Sequence, residues 1–168
     1  MRARIFLDAW QLSKGIDGRT KYHDFWDEYW EFWRFNEHAL MFSHIVHMAA
    51  LFEKSSKTIN FIQLLTELRN TGNQADLAAI DNLLSDSSAT VKGIAILRNN
   101  AFAHRSAGMS YDDAFRHAKL SFDQLRELND SALKIANVML RMQNSDAREF
   151  MELPLQFLER LAGTVSQK

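Results

Sequence analysis

The chain has 168 residues, one proline and no cysteine, and its 20 basic and 21 acidic side chains leave a net charge of −1. The absence of cysteine excludes disulfides, thiolate metal sites and a cysteine nucleophile. The balanced charge argues against a protein that coats nucleic acid by bulk electrostatics, although it is compatible with a local pocket for one phosphate. No apolar run approaches the roughly 18 residues of a membrane span and no signal peptide is evident, so we expect a cytoplasmic protein that does not bind membranes.

Long runs of helix-forming residues, without the alternating pattern of strands, predict an all-α fold. In chain order, the predicted helices are a short one before residue 15, Lys21–Glu53, Ile59–Arg69, Gln74–Leu84, one that begins after Ser85–Ser88 and carries residues 97–106, and Tyr111–Met142. Asn73 and Ser110 fit as N-caps, Gly108 fits the end of the preceding helix, and Pro154 is expected to interrupt the last segment. Short connections between these helices indicate a bundle.

The segment Tyr22–Phe35 contains eight aromatic residues, which are distributed around most of a helix. One face of that helix must pack in the core, and the remainder is more aromatic than a solvent-exposed face requires. Exposed apolar patches often mark interfaces, so we expect part of this helix to bind another protein. Stacking of nucleic-acid bases on the rings is the alternative.

His44 and His47 are three residues apart and therefore lie near one another on a helix. A metal site would need further ligands, and neither HExxH nor ExxH is present. We expect ordinary helix histidines here and no metal. A metal-dependent helical enzyme that uses this pair ranks last among the hypotheses for the function.

The stretch "LRNNAFAHRS", Leu97–Ser106, is the strongest candidate for a functional site. On an α-helix, Arg98 and His104 lie on opposite flanks of an apolar stripe formed by Ile94, Leu97 and Ala101, about 120° apart and roughly 9 Å along the axis. The two side chains are poorly placed to meet within one chain. Two antiparallel copies of the helix, packed along this stripe, would bring Arg98 of one chain towards His104 of the other.

Helix-end chemistry is the alternative explanation for this stretch. Basic groups in a last turn offset the helix dipole and bind free carbonyls, which accounts for His104 and Arg105. It accounts less well for Arg98, which lies further inside the helix and precedes Asn99 and Asn100, two poor helix formers.

The run from Arg98 to His104 resembles the R-x(4–6)-H signature of HEPN domains. The upstream segment Ala39–Leu68 is similar to the segment that precedes this motif in the abortive-infection (AbiU-type) HEPN branch, and the likeness in organisation covers about residues 20–145. The chain departs from the family's pattern at three places. "LFEKSS" stands where an arginine–leucine–acid turn is usual, Asn100 replaces a frequent lysine, and Ser106 replaces a frequent aspartate.

The resemblance implies an up-and-down HEPN-like bundle of four to five main helices. The single domain would span residues 1–168, with its core at about 20–145 and a C-terminal helical segment at 146–168. Members of this superfamily are usually homodimers with the motif at the dimer cleft. Many are endoribonuclease toxins or phage-defence effectors that need no metal or cofactor, and others are inactive scaffolds. For this chain the resemblance implies an RNA substrate, a homodimer through the Arg98–His104 helix and a possible cognate antitoxin protein.

The residue chemistry fits a ribonuclease. His104 has a suitable unperturbed pKa for proton transfer, and Arg98 offers a planar, permanently charged fork for phosphate. We therefore predict Arg98 and His104 as catalytic residues, with Asn99, Asn100 and Arg105 in supporting or substrate-binding positions. The alternative is a catalytically inactive HEPN-like module for protein interaction or nucleotide binding.

Overall fold

The computed structural model describes residues 2–14, 20–70, 72–103, 111–150, 156–157, 159–160 and 163–164, and within these ranges the chain is helical and contains no strand. The helices are α1 (Arg2–Lys14), α2 (His23–Glu28), α3 (Trp30–Phe52), α4 (Phe61–Leu68), α5 (Gln74–Asp86), α6 (Ser88–Leu97), a π-helical turn (Arg98–Ala103), α7 (Tyr111–Ala118) and α8 (Phe122–Met142). The predicted all-α bundle is therefore confirmed. In the described part of the chain, five α-helices have ten or more residues.

The chain divides into two compact units. One comprises Met1–His44 with Phe150–Lys168, and the other comprises Ile45–Glu149. The boundary falls within α3. The prediction of a single domain over residues 1–168 stays a prediction.

The first unit has an aromatic core. Tyr22, Phe25, Trp26 and Trp33 are buried together, and Leu12 and Leu40 pack against them. The rings of Trp26 and Trp33 meet edge to face with centroids 4.3 Å apart. Such ring pairs contribute about 0.5–1.5 kcal/mol beyond the area that they bury.

The prediction of one continuous helix from Lys21 to Glu53 was wrong, because the helix is interrupted at Tyr29. The backbone of Tyr29 has φ −112° and ψ 30°, outside the α-helical region. Its amide still donates to the Phe25 carbonyl at 3.3 Å, and its carbonyl accepts from Trp33 at 3.0 Å. The interruption is therefore confined to one residue, and the core pair of Trp26 and Trp33 lies on either side of it.

The second unit is built around α8. One face of α8 is buried throughout its length, at Leu125, Leu128, Ala132, Ile135 and Met139. The spacing of these residues is that of a helix with a single apolar face. Helices α4, α5 and α6 all pack against α8, and α6 also packs against α7. This arrangement fixes the end of α6, where the candidate motif begins.

The prediction of one helix from Tyr111 to Met142 was also wrong. Lys119 has a left-handed backbone with φ 52°, which ends α7. Ser121 then begins α8 with a capping box, in which its side chain accepts from the Gln124 amide and the Gln124 side chain accepts from the Ser121 amide. Ser-x-x-Gln is the sequence signature of such a box. The start of α8 at this capping box could therefore have been predicted from the sequence.

Two asparagines start the shorter helices of the second unit. The Asn73 side chain accepts from the Asp76 amide at 2.8 Å and begins α5, which confirms the predicted cap. Asn60 does the same for α4 through the Gln63 amide at 2.9 Å, so α4 begins at Phe61 and not at Ile59. Ser87 lies between α5 and α6 but makes no side-chain capping bond, so the cap predicted at Ser85–Ser88 is absent.

The predicted caps at Gly108 and Ser110, and the break at Pro154, lie outside the described residues. Within the described residues, no helix has both the length and the apolar character needed to cross a bilayer.

Candidate functional site

Arg98 occupies the junction between α6 and the π-helical turn. The preceding residue, Leu97, is fully buried, as is Ile94 one turn earlier. The backbone at this point is therefore anchored in the core of the second unit. The Arg98 side chain itself is 36% exposed, so its backbone is anchored in the core while part of the side chain is accessible to solvent.

Two side chains hold the Arg98 guanidinium. Nη1 donates to Oε2 of Glu53 at 3.2 Å, and Nε donates to Oδ1 of Asn99 at 3.3 Å. Among the described residues, no partner is seen for Nη2. A guanidinium carries five N–H donors in a fixed plane, so two such bonds orient the group and leave donors for an incoming anion.

Glu53 is itself held from the other side. The Thr58 hydroxyl donates to Glu53 Oε1 at 2.6 Å. This bond, together with the ion pair to Arg98, lowers the pKa of the Glu53 carboxyl below its ordinary value, and partial burial opposes the shift only in part. The carboxylate therefore stays ionised at neutral pH and offers Arg98 a full negative charge.

Glu53 and Thr58 both lie in the turn between α3 and α4, and the side chain of Asn60 stabilises this turn by hydrogen bonds. The Asn60 side chain is 1% exposed. Its amide nitrogen donates to the carbonyls of Ser55 at 2.7 Å and Thr58 at 3.0 Å, while its oxygen caps α4. One buried side chain thus ties the turn to the start of the next helix.

The π-helical turn changes the geometry expected for the motif. The predicted angle of about 120° between Arg98 and His104 assumes α-helical spacing, but residues Arg98–Ala103 form a π-helical turn. Because π-helical bonds join residues five apart, each turn holds more residues, so α-helical spacing does not hold from Arg98 to Ala103. π-helical turns are rare in proteins, but those that exist are often found at functional sites.

The structure brings Arg98 and Asn99 together, and it adds Glu53 to them. Asn100 is half-buried in the same π-helical turn. His104 and Arg105 lie outside the described residues, so their predicted roles stay predictions.

Two residues of the predicted apolar stripe lie in the core. Ile94 and Leu97 are buried within the second unit, at 1% and 0% exposure. The predicted homodimer through this helix stays a prediction.

The two helix histidines differ in their environments. His44 is fully buried, and its Nδ1 lies 3.0 Å from the Ala3 carbonyl oxygen. Because a carbonyl only accepts, Nδ1 carries the proton. His47 is exposed. Within the described part of the chain, no group of three or more His, Asp or Glu residues is arranged to hold a metal ion.

The aromatic segment divides as predicted into a buried and an exposed set. Trp26 and Trp33 belong to the core, whereas Trp30, Phe32 and Phe35 are 50%, 59% and 75% exposed. The predicted interface on the exposed rings stays a prediction.

Sequence reasoning missed the parts played by Glu53, Thr58 and Asn60. Glu53 lies within "LFEKSS", which the sequence analysis treated only as a departure from the family's usual turn. The signal for Asn60 was present, because an asparagine before a leucine-rich helix is a strong N-cap. No local signal connects Glu53 with Arg98, which is 45 residues away.

Comparison with known proteins identifies the family. The sequence model of HEPN_AbiU2, described as AbiU2, matches residues 8–160. No curated protein and no solved structure gives a significant match. The family match covers nearly the whole chain and includes both the Arg98 motif and the turn after α3, in which Glu53 binds Arg98. The chain therefore belongs to the abortive-infection-related AbiU2 family of HEPN domains.

Proposed function

We propose that the protein is a metal-independent endoribonuclease that acts as a toxin or phage-defence effector. The observation that carries this proposal is the arrangement at Arg98. A cation anchored in the core, oriented by Glu53 and Asn99, keeps part of its guanidinium accessible to solvent. Membership of the AbiU2 family supports the same reaction class.

The reaction proceeds by attack of the RNA 2′-oxygen on the adjacent phosphorus. His104 participates in proton transfer, either from the 2′-hydroxyl or to the leaving 5′-oxygen. Arg98 donates hydrogen bonds to the non-bridging oxygens as negative charge develops on them. The P–O5′ bond breaks, which leaves a 2′,3′-cyclic phosphate and a 5′-hydroxyl. No external oxidant, metal or cofactor enters this balance.

The supporting residues have separate roles. Asn99 orients Arg98 through its side-chain oxygen, and Asn100 lies in the same turn. Arg105 binds a neighbouring phosphate of the RNA. A homodimer through the exposed side of this helix would place two copies of Arg98 at one cleft, and a cognate antitoxin protein would cover that cleft.

The test is cleavage of RNA by purified protein in EDTA, with product ends analysed for the 2′,3′-cyclic phosphate. Arg98→Ala and His104→Ala are expected to abolish cleavage. Arg69→Ala is a matched control, because Arg69 is an exposed arginine of the same unit that pairs with Asp81. RNA with a 2′-deoxy nucleotide at the cleaved position should resist. Cleavage that disappears in EDTA, or that continues in both motif variants, contradicts the proposal.

An inactive interaction module is the second candidate, and the exposed rings of Phe32 and Phe35 favour it. The two candidates differ in living cells. Expression of the wild-type chain should slow growth if it is a ribonuclease, and Arg98→Ala should relieve this effect. An interaction module would leave growth equal in both cases.

A further inference from the structure

A continuous line of polar contacts leads from the buried Asn60 to the exposed guanidinium of Arg98. Asn60 fixes the turn by bonding to the Ser55 and Thr58 carbonyls. The Thr58 hydroxyl then donates to one oxygen of Glu53, and Arg98 donates to the other. Each oxygen of the Glu53 carboxylate therefore has its own donor, which restricts both the position and the rotation of the group.

We propose that Thr58 is a positioning residue that orients Arg98 through Glu53. The consequence for catalysis rests on the proposed ribonuclease function. The contacts themselves are formed in the protein without substrate.

The energies explain why the hydroxyl is needed. The Arg98–Glu53 pair is partly solvent-exposed, with side-chain exposures of 36% and 25%. Pairs of this kind contribute only about 0–1 kcal/mol, because two long side chains must be held in one geometry. A hydroxyl that donates to a carboxylate forms a short, charge-assisted bond. Thr58 is a short side chain on a turn that Asn60 makes rigid, so its bond to Glu53 removes much of the freedom that weakens the ion pair.

The same geometry predicts which kinetic constant responds. Phosphate binding to Arg98 in the ground state depends chiefly on the charge, which remains when Thr58 is changed. Transition-state stabilisation needs the donors at a defined position, and small displacements of such groups are costly. Loss of the Thr58 hydroxyl should therefore lower kcat about tenfold, which is roughly the factor that one net hydrogen bond to a charged group contributes. KM should change by less than about twofold.

The experiment compares Thr58→Val with Thr58→Ser. Valine has nearly the shape of threonine without the hydroxyl, and serine keeps the hydroxyl without the methyl group. Ser56→Ala is the control, because Ser56 is an exposed residue of the same turn. Thr58 is also exposed, so all three variants are expected to fold, which far-UV circular dichroism and thermal melting verify.

The first measurement is the ¹H–¹⁵N signal of the Arg98 Nη1 group, which donates to Glu53, assigned by its disappearance in Arg98→Lys. In the wild-type protein, Thr58→Ser and Ser56→Ala, the signal should be resolved and should exchange slowly with water. In Thr58→Val it should move towards the position of a free arginine and exchange at least about threefold faster. An unchanged signal in Thr58→Val, or an equal change in Thr58→Ser, would overturn the proposal.

The second measurement is the kcat and KM for RNA cleavage by the same variants. A fall in kcat that is confined to Thr58→Val supports the positioning role, and equal kcat values in all variants contradict it. If the wild-type protein does not cleave RNA, the proposed function fails. The Arg98 signal then still decides whether Thr58 orients the guanidinium.

Discussion

Replacement of Asn60 by alanine should destabilise the second unit far more than loss of an ordinary helix cap. The Asn60 side chain caps α4 through the Gln63 amide and donates to two carbonyls in a site where it is 1% exposed. Loss of a cap costs about 1 kcal/mol. Each of the two other bonds contributes a further 1 kcal/mol or so, because the carbonyls of Ser55 and Thr58 lose their donor. We expect Asn60→Ala to lower the free energy of unfolding by about 3 kcal/mol.

Asn73→Ala provides the matched control. Asn73 caps α5 by the same bond to a backbone amide, but it is exposed and does not build a turn. Its replacement should cost about 1 kcal/mol. Urea unfolding, followed by far-UV circular dichroism, measures both variants. The reasoning is refuted if Asn60→Ala costs no more than Asn73→Ala.

Three further predictions concern other parts of the second unit. Lys119→Gly should raise the free energy of unfolding by about 1 kcal/mol, because glycine adopts the left-handed backbone at φ 52° without strain; equal or lower thermal stability would contradict this. Gly93→Ala should lower the free energy of unfolding by about 1–3 kcal/mol, because a Cβ at this position would lie 2.8 Å from the Ala118 carbonyl oxygen. A melting temperature at or above that of the wild type would contradict this. Hydrogen bonds from Arg141 and, to a smaller extent, from Asn73 lower the pKa of Asp76 in the folded protein. The ionised Asp76 side chain therefore stabilises the folded protein at pH values above its unfolded-state pKa, and this stabilisation is lost as the pH falls through its folded-state pKa. The stability difference between the wild type and Asp76→Ala should therefore shrink as urea titrations move from neutral pH towards pH 3, and a difference that is constant with pH would exclude this linkage.

Helix existence was predictable because it depends on local composition and periodicity. The absence of strands from the described residues and the cap at Asn73 follow from residue type and spacing within a few positions, and Asn60 carries the same local signal, which the prediction overlooked. The two long predicted helices were wrong at Tyr29 and at Lys119 for different reasons. The second break had a local signal in the Ser121 capping box. The interruption at Tyr29 had none, and the ring contact between Trp26 and Trp33 on either side of it joins side chains that only the folded structure brings together.

The candidate site was predictable only in part. Arg98 and Asn99 stood out because charged and amide side chains are unusual within an apolar helical segment; their side chains are hydrogen-bonded to one another, and their predicted roles stay predictions. The angle assigned between Arg98 and His104 depended on α-helical spacing, and nothing in the sequence reveals a π-helical turn. The stripe of Ile94 and Leu97 was correctly predicted as apolar. Its assignment to a dimer surface stays a prediction; periodicity shows which residues share a face and not what covers that face, and here Ile94 and Leu97 are buried within the chain itself.

By itself, the sequence determined an all-α fold, because residue type and local spacing are displayed directly by a linear chain. It also carried a resemblance to HEPN domains, which the family match confirms, and it predicted Arg98 as a functional residue. Only the tertiary structure decided that Glu53 holds Arg98 and that Thr58 holds Glu53. Those contacts depend on how the turn after α3 approaches the end of α6, and packing of distant helices sets that approach.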